Sequence, residues 1–281
     1  FFIILFIYVL AIFISHLVLH QVPYQDTMIK VLMADVAATI IVFLFSVLLK
    51  NSSVYDAYWS VIPFYFILQL GYIYFDELTV FHLITFFVVS LWSWRLTLNW
   101  VRSWSDFSHE DWRYVDLAQQ TGVFYPIVNF LGIHLFPTLM VFGGMLPIFY
   151  MFNASLENGW FYHIGLLVSL VGIVFEFFAD NQLAKFRKRP NPKTEDLLAT
   201  GLWGRSRNPN YLGEILFWTG MYIVGLAYNA PFYITSIGAL VMLCLFVFIS
   251  IPMKEKRMME RRPSYLDYKK RVPMLFPKFS K

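Results

Sequence analysis

The segment 201–214 holds the densest run of side chains that could do chemistry, and it reads Gly-Leu-Trp-Gly-Arg-Ser-Arg-Asn-Pro-Asn-Tyr-Leu-Gly-Glu. Pro209 can open a helix, which places Arg205 and Arg207 just before a helix N-terminus. Free N–H groups and the helix dipole favour an anion such as a phosphate there. The segment therefore predicts a binding loop for a dinucleotide or another anionic cofactor. Binding of lipid headgroups by the two arginines is the alternative that this loop leaves open.

Ionisable side chains inside or near apolar stretches are the second group of candidates, because charges within a membrane are costly and usually functional. Arg95, Asn99 and Arg102 are spaced i, i+4, i+7, so they share one face of a predicted helix, and that face should avoid lipid. Glu176 and Asp180 lie one turn apart, where a salt-bridged helix end is the simpler alternative. The complete group is Asp35, Asp56, Arg95, Glu176, Asp180 and Glu214.

The elements that carry these residues are predicted to be membrane helices. Of the 281 residues, 58% are hydrophobic and only 14% are charged, which is more apolar than a soluble domain of this size requires. Apolar stretches of about 20 residues recur, and backbone groups in lipid must pair within their own segment. We therefore predict an all-α integral membrane protein, a bundle of seven or eight transmembrane helices. The eight predicted spans are 1–20, 30–49, 57–75, 78–101, 123–151, 160–184, 211–228 and 231–252.

The basic residues are unevenly distributed among the loops, which predicts the topology. Most lysines and arginines lie in 185–207 and 254–281, whereas 21–27 and 153–158 contain none. Eight spans put both basic segments on one side, predicted to be cytoplasmic, in a bacterial inner membrane or the endoplasmic reticulum. No repeat or soluble segment interrupts the chain, so we predict one membrane domain over 1–281. We expect the bilayer and a lipophilic small molecule as partners, with no metal, nucleic acid or obligate protein partner.

Three motifs, in order along the chain, resemble those of a known superfamily: the steroid 5α-reductases, the C-14 and C-7 sterol reductases and a related bacterial group. The resemblance covers roughly residues 50–281 and leaves 1–50 as variable N-terminal helices. It implies seven to ten membrane helices with NADPH in a cytoplasm-facing pocket, formed mainly by the C-terminal half. The motifs are Asn181-Gln-Leu-Ala-Lys-Phe-Arg187, the segment 201–214, and a C-terminal set of Glu255-Lys-Arg257, Tyr265-Leu-Asp-Tyr268, Arg271-Val-Pro273 and Phe276-Pro277.

The resemblance also implies which residues contact the cofactor. Asp180 and Arg187 look like the family's acidic and basic contacts on the helix before the loop. Asn210 and Glu214 match its Asn-aromatic-x-Gly-acidic element, which contacts the nicotinamide end and its carboxamide. The predicted cofactor contacts are Arg95 and Asn99 on an earlier helix, followed by Asp180, Asn181, Lys185, Arg187, Trp203, Arg205, Arg207, Asn210, Tyr211, Glu214, Arg257, Tyr265 and Tyr268.

The reaction implied by the resemblance is hydride transfer from NADPH to a polarised carbon–carbon double bond of an apolar substrate in lipid metabolism. A protein group must then protonate the other carbon, and a buried carboxyl stays protonated near neutrality. Asp56 is the first candidate for this acid, although it could instead cap the helix that follows it. Tyr55 and Glu214 complete the predicted catalytic set, with Tyr58 and Glu77 as further alternatives.

Departures from the family pattern leave the substrate and the class of enzyme open. Asn208 stands where sterol reductases usually carry His, and Trp92 lies near the position of a substrate-binding Tyr in steroid 5α-reductases, so steroid specificity is doubtful. A membrane methyltransferase resembling isoprenylcysteine carboxyl methyltransferase is the second hypothesis, but Glu255 is single where that family has a Glu pair. A lipid transporter or scaffold without enzymatic activity is the third hypothesis.

Overall fold

The computed structural model describes residues 1–278 except 191, 192 and 194. The regular elements among the described residues are all helices, so the predicted all-α class is confirmed. The chain divides into two compact units, Phe1–Asn153 and Ala154–Lys281, which we call unit 1 and unit 2. The single membrane domain over 1–281 stays a prediction.

Unit 1 begins with two long apolar helices and ends with a helical stretch that a π-helical segment interrupts. Short 3-10 turns at Ser52–Tyr55 and Phe75–Glu77 flank the helix Tyr58–Ile73. The π-helical segment is Asn129–Leu135, and π-helical turns are often found at functional sites. The α-helices are α1 Phe2–Gln21, α2 Thr27–Leu48, α3 Tyr58–Ile73, α4 Val80–Ser103, α5 Trp112–Thr121, α6 Tyr125–Val128 and α7 Phe136–Asn153.

Unit 2 is built on the longest helix, which is followed by the basic loop and a second long helix. A 3-10 turn, Gly201–Gly204, precedes that second helix, and a π-helical segment, Leu245–Ser250, interrupts the last apolar stretch. The α-helices are α8 Gly159–Arg187, α9 Pro209–Leu226, α10 Phe232–Thr235, α11 Ile237–Cys244, α12 Ile251–Arg261 and α13 Tyr265–Arg271.

Six helical segments of the described chain are long and apolar enough to cross a membrane. Their outer apolar side chains are exposed, such as Phe87 and Leu167, as lipid contact requires. The remaining predicted spans, 57–75 and 211–228, correspond to α3 and α9, which have 16 and 18 residues. The six segments are Phe2–Gln21, Thr27–Leu48, Val80–Ser103, Trp112–Asn153, Gly159–Arg187 and Phe232–Arg261.

Helices α8 and α9 pack against each other through glycines on both sides. A Cβ atom at Gly213 would lie 2.4 Å from Glu176 Cγ and 2.6 Å from the carbonyl oxygen of Gly172. A Cβ atom at Gly220 would lie 2.4 Å from the carbonyl oxygen of Gly165. Small residues at such a contact let two membrane helices approach closely. The approach determines where the first turns of α9 lie against α8.

Candidate functional site

The C-terminal part of α8 contacts the later half of the loop that joins α8 to α9. Gly201 has φ +61°, a left-handed conformation that favours glycine, and a Cβ atom there would lie 2.5 Å from Gln182 Oε1. The backbone N–H of Leu202 donates to the same Oε1 at 2.9 Å, and the Trp203 indole N–H donates to the Ala179 carbonyl at 3.0 Å. The left-handed conformation therefore favours glycine at position 201, and a larger residue would also displace the Gln182 amide that holds Leu202.

Arg207 ties the loop to the C-terminal segment through a buried ion pair. Its Nε donates to Glu255 Oε1 at 2.7 Å, and Lys269 Nζ reaches the other carboxylate oxygen, also at 2.7 Å. Arg207 Nη1 donates to the Val272 carbonyl at 2.6 Å, and its backbone N–H donates to the Pro273 carbonyl at 2.9 Å. Both oxygens of Glu255 and most donors of Arg207 are therefore engaged within the protein.

Lys254 is a residue of the site that the sequence analysis did not single out. Its Nζ donates to Asn208 Oδ1 at 2.8 Å and lies 4.8 Å from the centre of the Trp203 ring and 5.4 Å from that of Tyr211. The Asn208 amide N–H donates in turn to the Met274 carbonyl at 3.0 Å. The only signal in the sequence was its position directly before the C-terminal Glu-Lys-Arg motif.

The first turns of α9 present the candidate nicotinamide contacts. Pro209 is the first helical residue, as predicted, and Tyr211 Cα lies in the first turn with its ring beside Lys254. The Oδ1 atom of Asn210 is buried and has no hydrogen-bond partner among the described residues. Glu214 is 4% exposed, and its Oε1 accepts from the Trp218 indole N–H at 2.9 Å. A buried amide oxygen without a partner calls for a ligand or an ordered water.

The cations near this site are divided between a helix end and the loop. α8 continues to Arg187, so Lys185 and Arg187 lie in its last turn and not in the loop, and both are exposed. Arg205 is exposed in the loop, directly before the segment that opens α9. Cations at a helix C-terminus also stabilise the helix dipole, so this position alone does not require a ligand. Asp180, Asn181 and Arg257, which are also predicted contacts, are partly buried.

The two predicted tyrosine contacts on α13 are buried and belong to a small core with Val272. The Tyr268 hydroxyl donates to the Trp203 carbonyl at 2.5 Å. Burial raises the pKa of both Tyr265 and Tyr268 above the ordinary phenol value. Their role as cofactor contacts stays a prediction, and in this structure Tyr268 holds the loop in place.

In unit 1, Asp56 follows the 3-10 turn and does not cap α3. The N-cap residue of α3 is Ala57, which makes no side-chain cap bond, so the capping alternative was wrong. Asp56 Oδ1 instead accepts from the Tyr114 hydroxyl at 2.6 Å. Burial raises the pKa of Asp56 to about 7, although the hydrogen bond from Tyr114 and the charge of Arg113 act in the opposite direction. A carboxyl with this pKa is partly protonated at neutral pH.

The predicted alternatives to Asp56 have different environments. The Tyr55 hydroxyl and Thr138 Oγ1 are 2.8 Å apart, and the Tyr58 hydroxyl donates to Asp35 Oδ1 at 3.0 Å. These four residues are buried in the interior of unit 1. Glu77 lies in the exposed turn after α3, at the opposite end of that helix from Asp56. The structure thus groups the two tyrosines and separates Glu77 from them.

Arg95 and Asn99 lie on α4 in unit 1, and both are partly buried. Their i, i+4 spacing on a continuous helix is as predicted. Among the residues that the structure describes, no group of three or more His, Cys, Asp or Glu side chains could hold a metal ion. The candidate chemistry therefore rests on the carboxyl, hydroxyl, amide and cationic groups described above.

A family model and a yeast protein match most of this chain. Residues 42–272 match a family model described as a protein of unknown function, DUF1295. An uncharacterized protein of Schizosaccharomyces pombe, C594.04c, is 30% identical over 259 residues, which cover 83% of this chain and 74% of the relative. No solved structure matches the chain.

Proposed function

This chain belongs to the DUF1295 family, and we propose that it is a membrane-embedded, NADPH-dependent reductase. The substrate would be a lipophilic molecule with an activated carbon–carbon double bond, such as an enone, a sterol or an isoprenoid. Three ordered motifs that resemble those of steroid and sterol reductases support this proposal. All three fall largely within the part of the chain that the family model covers.

The observation that carries the proposal is the buried Oδ1 atom of Asn210, which has no hydrogen-bond partner among the described residues. A primary carboxamide, such as that of nicotinamide, offers N–H donors of the kind that this oxygen lacks. Glu214 lies one turn further along α9, and Trp218 holds its carboxylate in place. An amide oxygen and an ordered carboxyl on one helix face suit recognition of the carboxamide group on a nicotinamide ring.

The charges of unit 2 favour a cofactor that carries phosphates. Lys185, Arg187 and Arg205 are exposed, and the N-terminus of α9 adds the positive end of a helix dipole. S-adenosylmethionine has no phosphate, so this excess of cations favours NADPH over the methyltransferase alternative. Lys254, Arg207 and Tyr268 would act indirectly, because their contacts hold the loop that carries Arg205.

When bound, NADPH supplies the hydride, and the chain must supply a proton. Asp56 is the proposed donor, since burial raises its pKa to about 7 and it keeps a proton for part of the time at neutral pH. Tyr114 fixes the carboxyl through a hydrogen bond of 2.6 Å. Tyr55 is the second candidate, and its hydroxyl would donate through a network that includes Thr138.

The proposal includes seven or eight membrane spans and a cofactor pocket in the C-terminal half that opens to the cytoplasm. The basic segments 185–207 and 254–281 would then lie on the cytoplasmic side, as the positive-inside rule predicts. The setting would be a bacterial inner membrane or the endoplasmic reticulum, with the substrate entering from lipid.

Calorimetric titration of the detergent-purified protein with NADPH, NADH and S-adenosylmethionine tests the proposal. We expect NADPH binding in the wild type and a loss of at least about tenfold in affinity in Asn210→Ala and Arg187→Ala. Lys188→Ala, an exposed cation directly after α8, is the matched control and should bind as the wild type does. Binding of S-adenosylmethionine alone would favour methyl transfer, and binding of neither would favour the transporter or scaffold.

A further inference from the structure

Unit 1 contains a cavity of about 360 Å³ at the end of its helices that is remote from Asp56 along α2 and α3. The loop between α1 and α2, the end of α3 and the end of α7 form its walls. None of the predicted catalytic or cofactor residues lines it. The lining residues are Gln25, Asp26, Thr27, Met28, Tyr74, Phe149, Tyr150 and Asn153.

The ring of Tyr74, one of the aromatic residues that line this cavity, is held in place by its neighbours. The Tyr74 hydroxyl donates to Thr27 Oγ1 at 2.8 Å, and its ring stacks on Phe152 with centroids 4.5 Å apart. Phe152 in turn stacks on His82 at 4.4 Å, and His82 Nε2 lies 3.0 Å from the Met151 carbonyl oxygen. The ring of Tyr74 is therefore preorganised, which lowers the entropic cost of binding a ligand.

The charge of the lining is negative and comes from Asp26. Its Oδ1 accepts from the backbone N–H groups of Met28 and Ile29, at 2.8 and 3.3 Å, so the carboxylate is fixed as the N-cap of α2. Asp76 and Glu77 follow Tyr74 in the exposed turn and add negative charge near this end of unit 1. Lys30 lies one turn further along α2 and is not among the lining residues.

We propose that this cavity is a binding site for an alkylammonium group, such as the choline or ethanolamine headgroup of a lipid or the corresponding free amine. Aromatic faces attract such cations, and a fixed carboxylate supplies the opposite charge. Gln25 and Asn153 add amide groups to the lining. The cavity also lies at an end of membrane helices, where lipid headgroups are found. The proposal does not rest on the reductase function, because it involves other residues of the chain.

The test compares binding of choline and of its neutral isostere 3,3-dimethylbutan-1-ol to the full chain in a choline-free detergent. We expect choline to bind at least about tenfold more tightly than the isostere, as a cation–π and charge-based site requires. Asp26→Asn should remove most of this preference, and because Asn caps helices as well as Asp does, the melting temperature should stay unchanged. Tyr74→Leu should weaken choline binding as well.

Asp106→Asn is the matched control, because Asp106 is an exposed acid after α4 whose Oδ1 accepts from a backbone N–H group, that of Ser108 at 2.8 Å. It should bind choline as the wild type does. Native mass spectrometry from phosphatidylcholine and phosphatidylglycerol nanodiscs separates the two sources of the cation. If the protein retains phosphatidylcholine, the ligand is a lipid headgroup. If it binds free choline but retains no phosphatidylcholine, the ligand is a soluble amine. Any of three results would overturn the proposal: choline and its isostere bind equally, Asp26→Asn binds choline as the wild type does, or the neutral sugar methyl glucoside binds in place of choline.

Discussion

Substitution of Gly213 by alanine tests whether the close approach of α8 and α9 positions the candidate site. The new Cβ atom would lie 2.6 Å from the Gly172 carbonyl oxygen, whereas ordinary contact begins near 3.4 Å. The carbonyl oxygen of Gly172 is a backbone atom and cannot rotate away. The two helices must therefore separate by about 0.8 Å at this point. Overpacking of this kind costs about 1–3 kcal/mol, from which the higher helix propensity of alanine recovers up to about 1 kcal/mol.

The expected result is a lower melting temperature together with weaker cofactor binding. A net loss of about 2 kcal/mol lowers the melting temperature by about 4–8 °C in a chain of this size. Asn210 and Glu214 flank Gly213 on α9, so under the proposed function their displacement should weaken NADPH binding by about tenfold. Scanning fluorimetry in detergent and calorimetric titration measure the two effects.

Gly159→Ala provides the matched control, because it lies at the start of α8 and a Cβ atom there meets nothing within 4 Å. It should keep or raise the melting temperature, since alanine favours a helix. If Gly213→Ala behaved like Gly159→Ala in both measurements, the close approach of the two helices would not be what positions the first turns of α9.

Three further predictions concern the buried polar groups. Arg207→Met and Glu255→Leu should each destabilise the protein by up to about 3–5 kcal/mol, because each removes one member of a buried ion pair, although Lys269 still contacts Glu255 in the first variant. The double variant should lose less than the sum of the two single losses; thermal unfolding of the three variants measures this, and additive losses would contradict it. The pKa of Asp56 is raised from its ordinary 3.8 to about 7, so the native state binds more protons than the unfolded state between these values. Stability should fall as the pH rises from about 4 to 7, and Asp56→Asn should flatten this part of a plot of melting temperature against pH; an unchanged slope would mean that the carboxyl is not buried. Thr138→Val should cost about 1–3 kcal/mol, because the Tyr55 hydroxyl and Thr39 Oγ1 both hydrogen-bond to Thr138 Oγ1. Thr121→Val, at a partly buried hydroxyl that donates to the Leu117 carbonyl of its own helix, should cost less, and equal losses would count against a buried network.

The helical segments could be predicted from the sequence, because the length of an apolar stretch is a local property. All eight predicted spans fall on helices, although α8 extends to Arg187 and α12 to Arg261, beyond the predicted ends. Amphipathic ends such as these continue a helix without an apolar signal. The position of Pro209 at the start of α9 was also predictable, since proline fits the first helical position. The two π-helical segments were not predicted, because their sequences are as apolar as their α-helical neighbours.

The sequence by itself determined the class of the protein, its apolar segments and a set of motifs, because hydrophobicity and local spacing are encoded in neighbouring residues. Only the tertiary structure decided what each polar group contacts. Arg207 pairs with Glu255, 48 residues away, and Thr39 meets Thr138 across 99 residues. Asp56 turned out to bond Tyr114 and not the helix that follows it. Such pairings depend on how helices pack, and packing is set by side-chain shape across the whole unit, which no local pattern contains.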